Sequence, residues 1–180
     1  MLDDGELLLK WKRGEAGAGD LLVQRHFESV RRFFVNKAGH SADDLIQQTF
    51  IRCVEGRERF EGRSSFRTFI LGIARYVLYE YLRQKARSEV IDFGVTSVQA
   101  IDPSPSQLIA GDQAKQAVAI ALRGIPIDQQ LAIELYYWEN LSVEELAQIL
   151  DIPTGTVKSR LYYARRALHR VLGHAADLGR

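Results

Sequence analysis

Apolar residues recur along most of this chain at intervals of three and four, and strict alternation of apolar with polar residues is scarce. The longer interval lines side chains along one stripe of an α-helix, whereas a half-buried strand needs an interval of two. The pattern predicts an all-α protein with no sheet. The helical texture first breaks at Gly14, Gly17 and Gly19, which are expected to form a turn between helices. No strand pattern precedes these glycines and no Lys-Ser or Lys-Thr follows them, so they do not make a phosphate loop. An amphipathic helix is predicted over about residues 41–55, with Leu45, Ile46, Phe50 and Val54 facing a core. Asp43, Asp44, Gln47, Gln48, Arg52 and Glu55 are left for solvent or for a partner helix. Ser64 or Ser65 caps the next helix, whose buried stripe is expected to be Phe66, Phe69, Ile70, Ile73, Ala74, Val77 and Tyr81.

The texture changes from Ser88 to Asp112. That stretch has no lysine or arginine but contains Glu89, Asp92, Asp102 and Asp112, together with Gly94 and the run Asp102-Pro103-Ser104-Pro105-Ser106. Two prolines two residues apart resist a regular helix. Residues 88–112 are therefore expected to be an acidic, flexible linker between two small helical domains at 1–87 and 113–174, with 175–180 as a frayed tail. The other reading is a long surface loop inside one domain, and structureless loops of that length are uncommon in compact domains.

The sharpest local signal lies at 142–168. Ser142 followed by Glu145 is a capping-box pattern. Leu146, Ala147, Ile149 and Leu150 form the apolar side of a short helix, which Asp151-Ile152-Pro153 interrupts. Thr154 or its neighbour caps a second helix, in which Val157, Leu161, Ala164 and Leu168 share one face. In a helix-turn-helix, Ala147 suits the close helix contact and Asp151 the left-handed turn position. The opposite face of the second helix holds Gly155, Ser159, Tyr162, Tyr163 and Arg166, flanked by Lys158, Arg160 and Arg165. Glu139 to Asp151 contains four acids and no base (Glu139, Glu144, Glu145, Asp151), whereas Thr154 to Arg170 contains five bases and no acid (Lys158, Arg160, Arg165, Arg166, Arg170). This asymmetry suits a recognition helix whose first residues read base edges while the bases neutralise phosphates. An ordinary helical hairpin with one solvated basic helix remains the alternative.

A second basic stretch, Arg57 to Arg87, sets eight bases (Arg57, Arg59, Arg63, Arg67, Arg75, Arg83, Lys85, Arg87) against three acids (Glu58, Glu61, Glu80). Arg75, Tyr76, Tyr79, Arg83 and Arg87 fall on or near the side away from the buried stripe. Rings among cations suit a single nucleic-acid strand, on whose unpaired bases the rings stack. Half-buried tyrosines on an ordinary amphipathic helix would look the same.

Overall composition narrows the classes without choosing a partner. The chain has 180 residues, 46% hydrophobic and 26% charged, with a formal net charge of +1. These values fit a soluble globular protein and exclude a wholly disordered or collagen-like chain. A single cysteine, Cys53, allows no intramolecular disulfide and fits a reducing compartment. His26, His40, His169 and His174 have no ligand cluster around them, so neither a metal nor a cofactor is expected. Nothing resembles a nucleophile–base set or a phosphate loop, and the protein is not expected to be an enzyme. An acidic N-terminus, Met1-Leu2-Asp3-Asp4, and the lack of an apolar run of about 18 residues point to a cytoplasmic protein that does not insert in a membrane.

Three motifs in order resemble one family. Asp43-Asp44-Leu45-Ile46-Gln47-Gln48-Thr49-Phe50 resembles the core-polymerase-binding motif of bacterial sigma factors. Arg59-Phe60-Glu61-Gly62-Arg63-Ser64-Ser65-Phe66-Arg67-Thr68-Phe69 with Gly72-Ile73-Ala74-Arg75 resembles their −10 segment. Leu141-Ser142-Val143-Glu144-Glu145-Leu146-Ala147 with Gly155-Thr156-Val157-Lys158-Ser159-Arg160-Leu161 and Ala164-Arg165 resembles their −35-reading helix-turn-helix. Motif order, linker and chain length resemble the extracytoplasmic-function (ECF, group 4) sigma factors of the sigma-70 family.

The resemblance implies a transcription-initiation subunit that binds core RNA polymerase, recognises −35 and −10 promoter elements and promotes melting. It implies that Asp43, Asp44, Gln47, Gln48 and Arg52 grip the β′ clamp helices, with a further contact to the β subunit. Glu61, Gly62, Arg63, Ser64 and Ser65 would capture a flipped −10 base, and Arg67, Arg75, Tyr76, Tyr79 and Arg83 would hold the melted strand. Extruding a base costs a few kcal/mol, which stacking at roughly 1–3 kcal/mol per base can offset. Thr154, Thr156, Lys158, Ser159, Arg160, Tyr162, Tyr163, Arg165 and Arg166 would contact the −35 element. The acidic linker would lie in a basic polymerase channel, and an anti-sigma factor is an implied partner. Gln48 replaces a usual glutamate, Tyr76 a common asparagine and Tyr163 an often basic residue, and Glu80 also departs from the frequent polar choices. A regulator that binds duplex DNA alone would account for the helix-turn-helix but not for the other two motifs.

Overall fold

The computed structural model describes residues 2–87, 90–103 and 113–178, with side chains described as far as Gly173. Among the described residues the secondary structure is helical, with one isolated bridge pairing Ser97 with Pro126.

Four main helices build the first half: α1 (Asp4–Lys12), α2 (Ala16–Val35), α3 (Ala42–Gly56) and α4 (Phe66–Ala86). Asp3 caps α1 by accepting from the Glu6 amide at 2.8 Å, and Glu6 returns the bond to Asp3. Gly14 supplies the left-handed residue between α1 and α2, with φ of 95°. Gly17 and Gly19 lie inside α2, not in the turn that the glycine cluster predicts. Gly19 lets the two helices approach: a Cβ there would sit 2.4 Å from Nε1 of Trp11.

Helix α3 spans nearly the expected range, but its inward stripe is Leu45, Ile46, Thr49 and Cys53. Thr49 tolerates burial because its hydroxyl donates to the Leu45 carbonyl at 2.8 Å. Val54 was expected inside and is exposed, and Phe50 is half-buried. Ser65 caps α4 as expected, accepting from the Thr68 amide at 3.1 Å. Beyond the expected stripe, Leu71, Leu78 and Leu82 are also fully buried, because α2 and α3 are not the only helices packed on α4.

The second half comprises α5 (Val98–Ile101), α6 (Gln113–Arg123), α7 (Ile127–Trp138), α8 (Val143–Leu150) and α9 (Thr154–Leu178). The capping box at Ser142 and Glu145 forms as the sequence predicts. Asp151 ends α8 in the left-handed region, at φ 54° and ψ 51°. Val157, Leu161 and Ala164 of α9 are buried with Leu146, Ile149 and Leu150 of α8.

Helix α8 packs across α4, so one apolar core runs through both expected domains. A smaller cluster of Leu122, Ile125, Ile133 and Ala164 holds α6, α7 and α9. The described part of the expected flexible linker is folded onto this body. Phe93 stacks on Tyr79 with centroids 4.2 Å apart, Val98 is fully buried, and buried Asp102 pairs with Lys85. Apolar side chains and backbone bonds from Ile127 to Thr96 and from Asp128 to Phe93 hold it there. The rest of that stretch, 88–89 and 104–112, lies outside the described residues, as do Gly179 and Arg180 of the expected tail. Among the described residues, no helix is long and apolar enough to cross a membrane.

Candidate polymerase and nucleic-acid interfaces

The outer face of α3 presents Asp43, Asp44, Gln47 and Gln48 to solvent. Arg52, one turn further, donates to Glu80 of α4 at 2.5 Å. Beside this polar row runs an apolar groove of about 480 Å³ that sequence reasoning missed. Phe27 of α2 stacks on Phe50 at 6.2 Å, with Val23, Ile51 and Val54 around them and Asp43 and Gln47 on the rim. The missed signal was the helical phase: Val54 leaves the core stripe because Cys53 takes the inward position.

The loop Glu61–Ser65 is largely exposed, with Gly62 at φ 72° and Glu61 paired with Arg63. It faces α1 across a cleft lined by Asp3, Leu8, Lys12, Phe60, Gly62 and Ser65. Lys12 donates to the Phe60 carbonyl at 2.6 Å and fixes the loop's entry. Along α4 the guanidinium of Arg75 lies 4.9 Å from the Tyr76 ring centre and 5.5 Å from that of Tyr79. Arg83 lies over Tyr79 and Phe93 at 5.9 and 5.2 Å. The alternation of cations and rings therefore exists, but only part of it is open. Tyr76 is 55% exposed, whereas Arg75 is buried and donates to the Leu150 carbonyl at the end of α8. Tyr79 donates to Asp128 at 2.6 Å, and burial, reinforced by that carboxylate, pushes its hydroxyl above the ordinary tyrosine range. Arg67 is bound to Glu139. The expectation of a free face at Arg75 and Tyr79 is corrected by the helices of the second half, which cover it.

Helix α9 is different. Thr154, Gly155, Thr156, Lys158 and Ser159 at its start are exposed. Tyr162 and Tyr163 are 53% and 57% exposed and meet edge to face at 5.3 Å. Arg166 donates to the Tyr162 hydroxyl at 3.2 Å, and Arg165 donates to that of Tyr137 at 3.0 Å. Both cations stay exposed while these rings orient them. Arg160 is the exception, half-buried and 3.1 Å from Asp128. Behind this face, Val118, Leu122, Ile133, Trp138, Leu168 and Leu172 line a second apolar groove between α6, α7 and α9.

The two halves meet through buried charges that the sequence did not reveal. Glu139, at the end of α7, is 4% exposed and accepts from Ser29 Oγ at 2.7 Å, Arg32 Nε at 2.7 Å and Arg67. Burial raises its pKa, but the hydrogen bonds from Arg32, Arg67 and Ser29 together hold it below the ordinary carboxylate value. Lys37, fully buried on the first half, pairs with Glu134 of α7. Asn36 and Gln130 donate to the same carboxylate at 3.1 and 2.7 Å. Arg123 donates to the Asn36 carbonyl at 2.8 Å. The partners that join the two halves lie 72 to 110 positions apart, beyond any local pattern. Among the described residues no group of histidine, cysteine and carboxylates could hold a metal.

The family profile described as Sigma-70 region 2 matches residues 22–88, and that described as Sigma-70, region 4 matches residues 115–168. The ECF RNA polymerase sigma-E factors of Escherichia coli strain K12 and Salmonella typhimurium strain LT2 are each 30% identical over 178 residues, covering 93% of this chain and 93% of theirs. That of Haemophilus influenzae is 28% identical over 179 residues, covering 93% of this chain and 94% of its own. Among solved structures, the sigma factor RpoE in complex with the anti-sigma factor NepR from Bartonella quintana is 26% identical. It matches with a TM-score of 0.68, covering 86% of this chain and 96% of that one. CnrH in complex with the cytosolic domain of CnrY shares the fold at 21% identity and a TM-score of 0.67, covering 93% of this chain and 96% of that one.

Proposed function

The chain belongs to the ECF group of the sigma-70 family, RNA polymerase sigma factors of transcription initiation, and on that premise we propose that it reads a promoter at two points and opens it. The observation that carries this reading is the exposed cationic face of α9, set by a capping box and a left-handed turn. In the proposed complex, Thr154, Thr156, Lys158 and Ser159 enter the major groove of the −35 element. Arg165 and Arg166 neutralise phosphates beside them, and Tyr162 and Tyr163 add contact area. The exposed loop 61–65 takes a flipped −10 base, with Tyr76 as the first stacking platform along α4.

The α3 row of Asp43, Asp44, Gln47, Gln48 and Arg52 would dock the β′ clamp helices, and the groove at Phe27 and Phe50 gives that contact an apolar centre. The groove between α6, α7 and α9 is the corresponding candidate for the β subunit. Both grooves also suit an anti-sigma factor, the class of partner bound to RpoE in the similar structure.

The test is to mix the purified chain with bacterial core RNA polymerase and ask for co-elution and run-off transcription from genomic fragments. Discrete transcripts that depend on the chain support the proposal, and their starts give its promoter. Tight duplex binding without co-elution overturns it in favour of a regulator acting alone.

A further inference from the structure

The clasp around Glu139 joins the two halves of the chain through one buried carboxylate. Its three donors, Ser29, Arg32 and Arg67, all belong to the first half of the chain, on α2 and α4. Arg32 also lies 3.8 Å from exposed Glu28 on its own helix, and the acceptor the three donors share is a carboxylate from the second half. Arg32 grips that carboxylate in a fork, with Nε to Oε1 at 2.7 Å and Nη2 to Oε2 at 3.2 Å. Ser29 and Arg67 add a hydroxyl and a second guanidinium on Oε2. A guanidinium fork with a hydroxyl beside it matches a phosphate as well as it matches a carboxylate. The four hydrogen bonds fill the acceptor sites of one carboxylate, and the same donors, two of the three groups cationic, can serve the oxygens of a phosphate.

We infer that Ser29, Arg32 and Arg67 form a subsite for a backbone phosphate of the single promoter strand, and that Glu139 fills it in cis while the two halves are closed. This deepens the proposed function and rests on it. Arg67 lies in the first turn of α4, directly after the exposed loop 61–65, so a strand leaving that loop along α4 reaches it first. Arg32 and Arg67 keep 37% and 31% of their side chains exposed, so the site has an open rim even when closed. Two turns further along α4, Arg75 is occupied in the same manner by the Leu150 carbonyl. The second half thus sets oxygen acceptors on two of the cations of α4. A strand can take those cations only by displacing them, which requires α7 and α8 to move off α4.

The test uses the full chain, with dyes placed on α3 and α9, and a single-stranded oligonucleotide from the promoter that run-off transcription identifies. Glu139→Gln should increase the distance between the dyes and tighten strand binding about tenfold at low salt. Adding Arg32→Ala to that variant should cancel the gain and reduce the slope of log affinity against log salt by about 0.7, the value of one phosphate on a single strand. Ser29→Ala in the same background is the milder second probe, with a loss of severalfold, and a retained helical spectrum confirms folding of each variant. Unchanged affinity and slope in the Arg32→Ala and Ser29→Ala variants overturn the subsite and leave Glu139 as a structural clasp. Opening of the unmodified chain by millimolar inorganic phosphate, with no dependence on the oligonucleotide, also overturns it, since the ligand is then a free ion. Transcription by the unmodified chain with core polymerase separates these failures from failure of the sigma-factor reading.

Discussion

Helices α4 and α9 carry the same surface chemistry in sequence and use it differently in the fold. Each sets arginines against tyrosine rings: Arg75, Tyr76, Tyr79 and Arg83 on α4, and Tyr162, Tyr163, Arg165 and Arg166 on α9. On α9 the cations are oriented by neighbouring hydroxyls and remain in solvent. On α4, Arg75 and Tyr79 are covered, held by Leu150 and Asp128 of the second half. On the proposed function, basic residues interleaved with aromatics offer a surface for nucleic acid, and tertiary partners decide whether that surface is available. In the proposed function the −35 reader is ready as folded, and the −10 reader becomes complete only after the halves part.

The largest effect should come from breaking the open side of this comparison. Replacing Lys158, Arg165 and Arg166 together with alanine removes three cations with little burial at stake. If all three meet phosphates, the slope of log affinity against log salt for −35 duplex falls by about 2.7, and affinity at low salt falls by at least tenfold. Filter binding or anisotropy across a salt series reads both. An unchanged slope would remove α9 from the duplex interface.

Next in size is a contrast within α4. Tyr76→Ala deletes an exposed ring and should weaken binding of the −10 single strand by about 1–3 kcal/mol, with core-polymerase binding intact. Tyr79→Phe keeps the ring and removes only its bond to Asp128. A hydrogen bond to a charged acceptor contributes about 1.5–3 kcal/mol, and part of that should be lost from the closed arrangement. Tyr79→Phe should thus favour strand binding where Tyr76→Ala opposes it. Equal losses from both variants would mean that the two tyrosines share one exposed role, contrary to their burial.

What was legible in the sequence was local. The capping box at Ser142, the left-handed turn at Asp151 and the Val157–Leu161–Ala164 stripe each need only a few neighbouring residues, and each forms as predicted. The buried stripe of α4 was legible in part for the same reason: Phe66, Ile70, Ala74 and Val77 are buried as expected, whereas Phe69, Ile73 and Tyr81 are half-buried at its edges. Its second covered flank, at Leu71, Leu78 and Leu82, was written as apolar residues outside the main stripe, the mark of a helix buried nearly all round. The charges of the clasp were not legible. Lys37, Glu134 and Glu139 look like ordinary solvated residues in sequence, and their burial depends on partners about a hundred positions away. Of the candidate site residues, those on α9 other than Arg160 and most of those in loop 61–65 are exposed, whereas Arg52, Arg67, Arg75, Tyr79 and Arg160 are engaged within the chain.

Acid should separate the two helices with the smallest effect, and in two steps. Burial lowers the pKa of His26 from 6.5, against the opposing pull of Asp4 at 2.6 Å. Its neutral form is thus favoured in the fold, and the stability this contributes is present above pH 6.5 and lost as pH falls through the lowered value. Glu139 is held below its ordinary 4.5, so its contribution to the clasp is present above 4.5 and lost as pH falls through the value in the closed chain. The groups facing Glu139 are the guanidiniums of Arg32 and Arg67 and the hydroxyl of Ser29, and the hydrogen bond to Glu139 raises the pKa of Arg32 further. Exposed Glu28 lies 3.8 Å from Arg32, and His26 packs on Phe66 beside Arg67. Mild acid should therefore loosen α1 from α2 while α7 still holds α4, and stronger acid should then release α4. Hydrogen exchange in α1 and the distance between α3 and α9 read the two steps separately. His26→Gln should remove the first step and Glu139→Gln the second, with the cationic face of α9 unchanged in both. Loss of both steps from either single substitution would show that one titration controls both contacts.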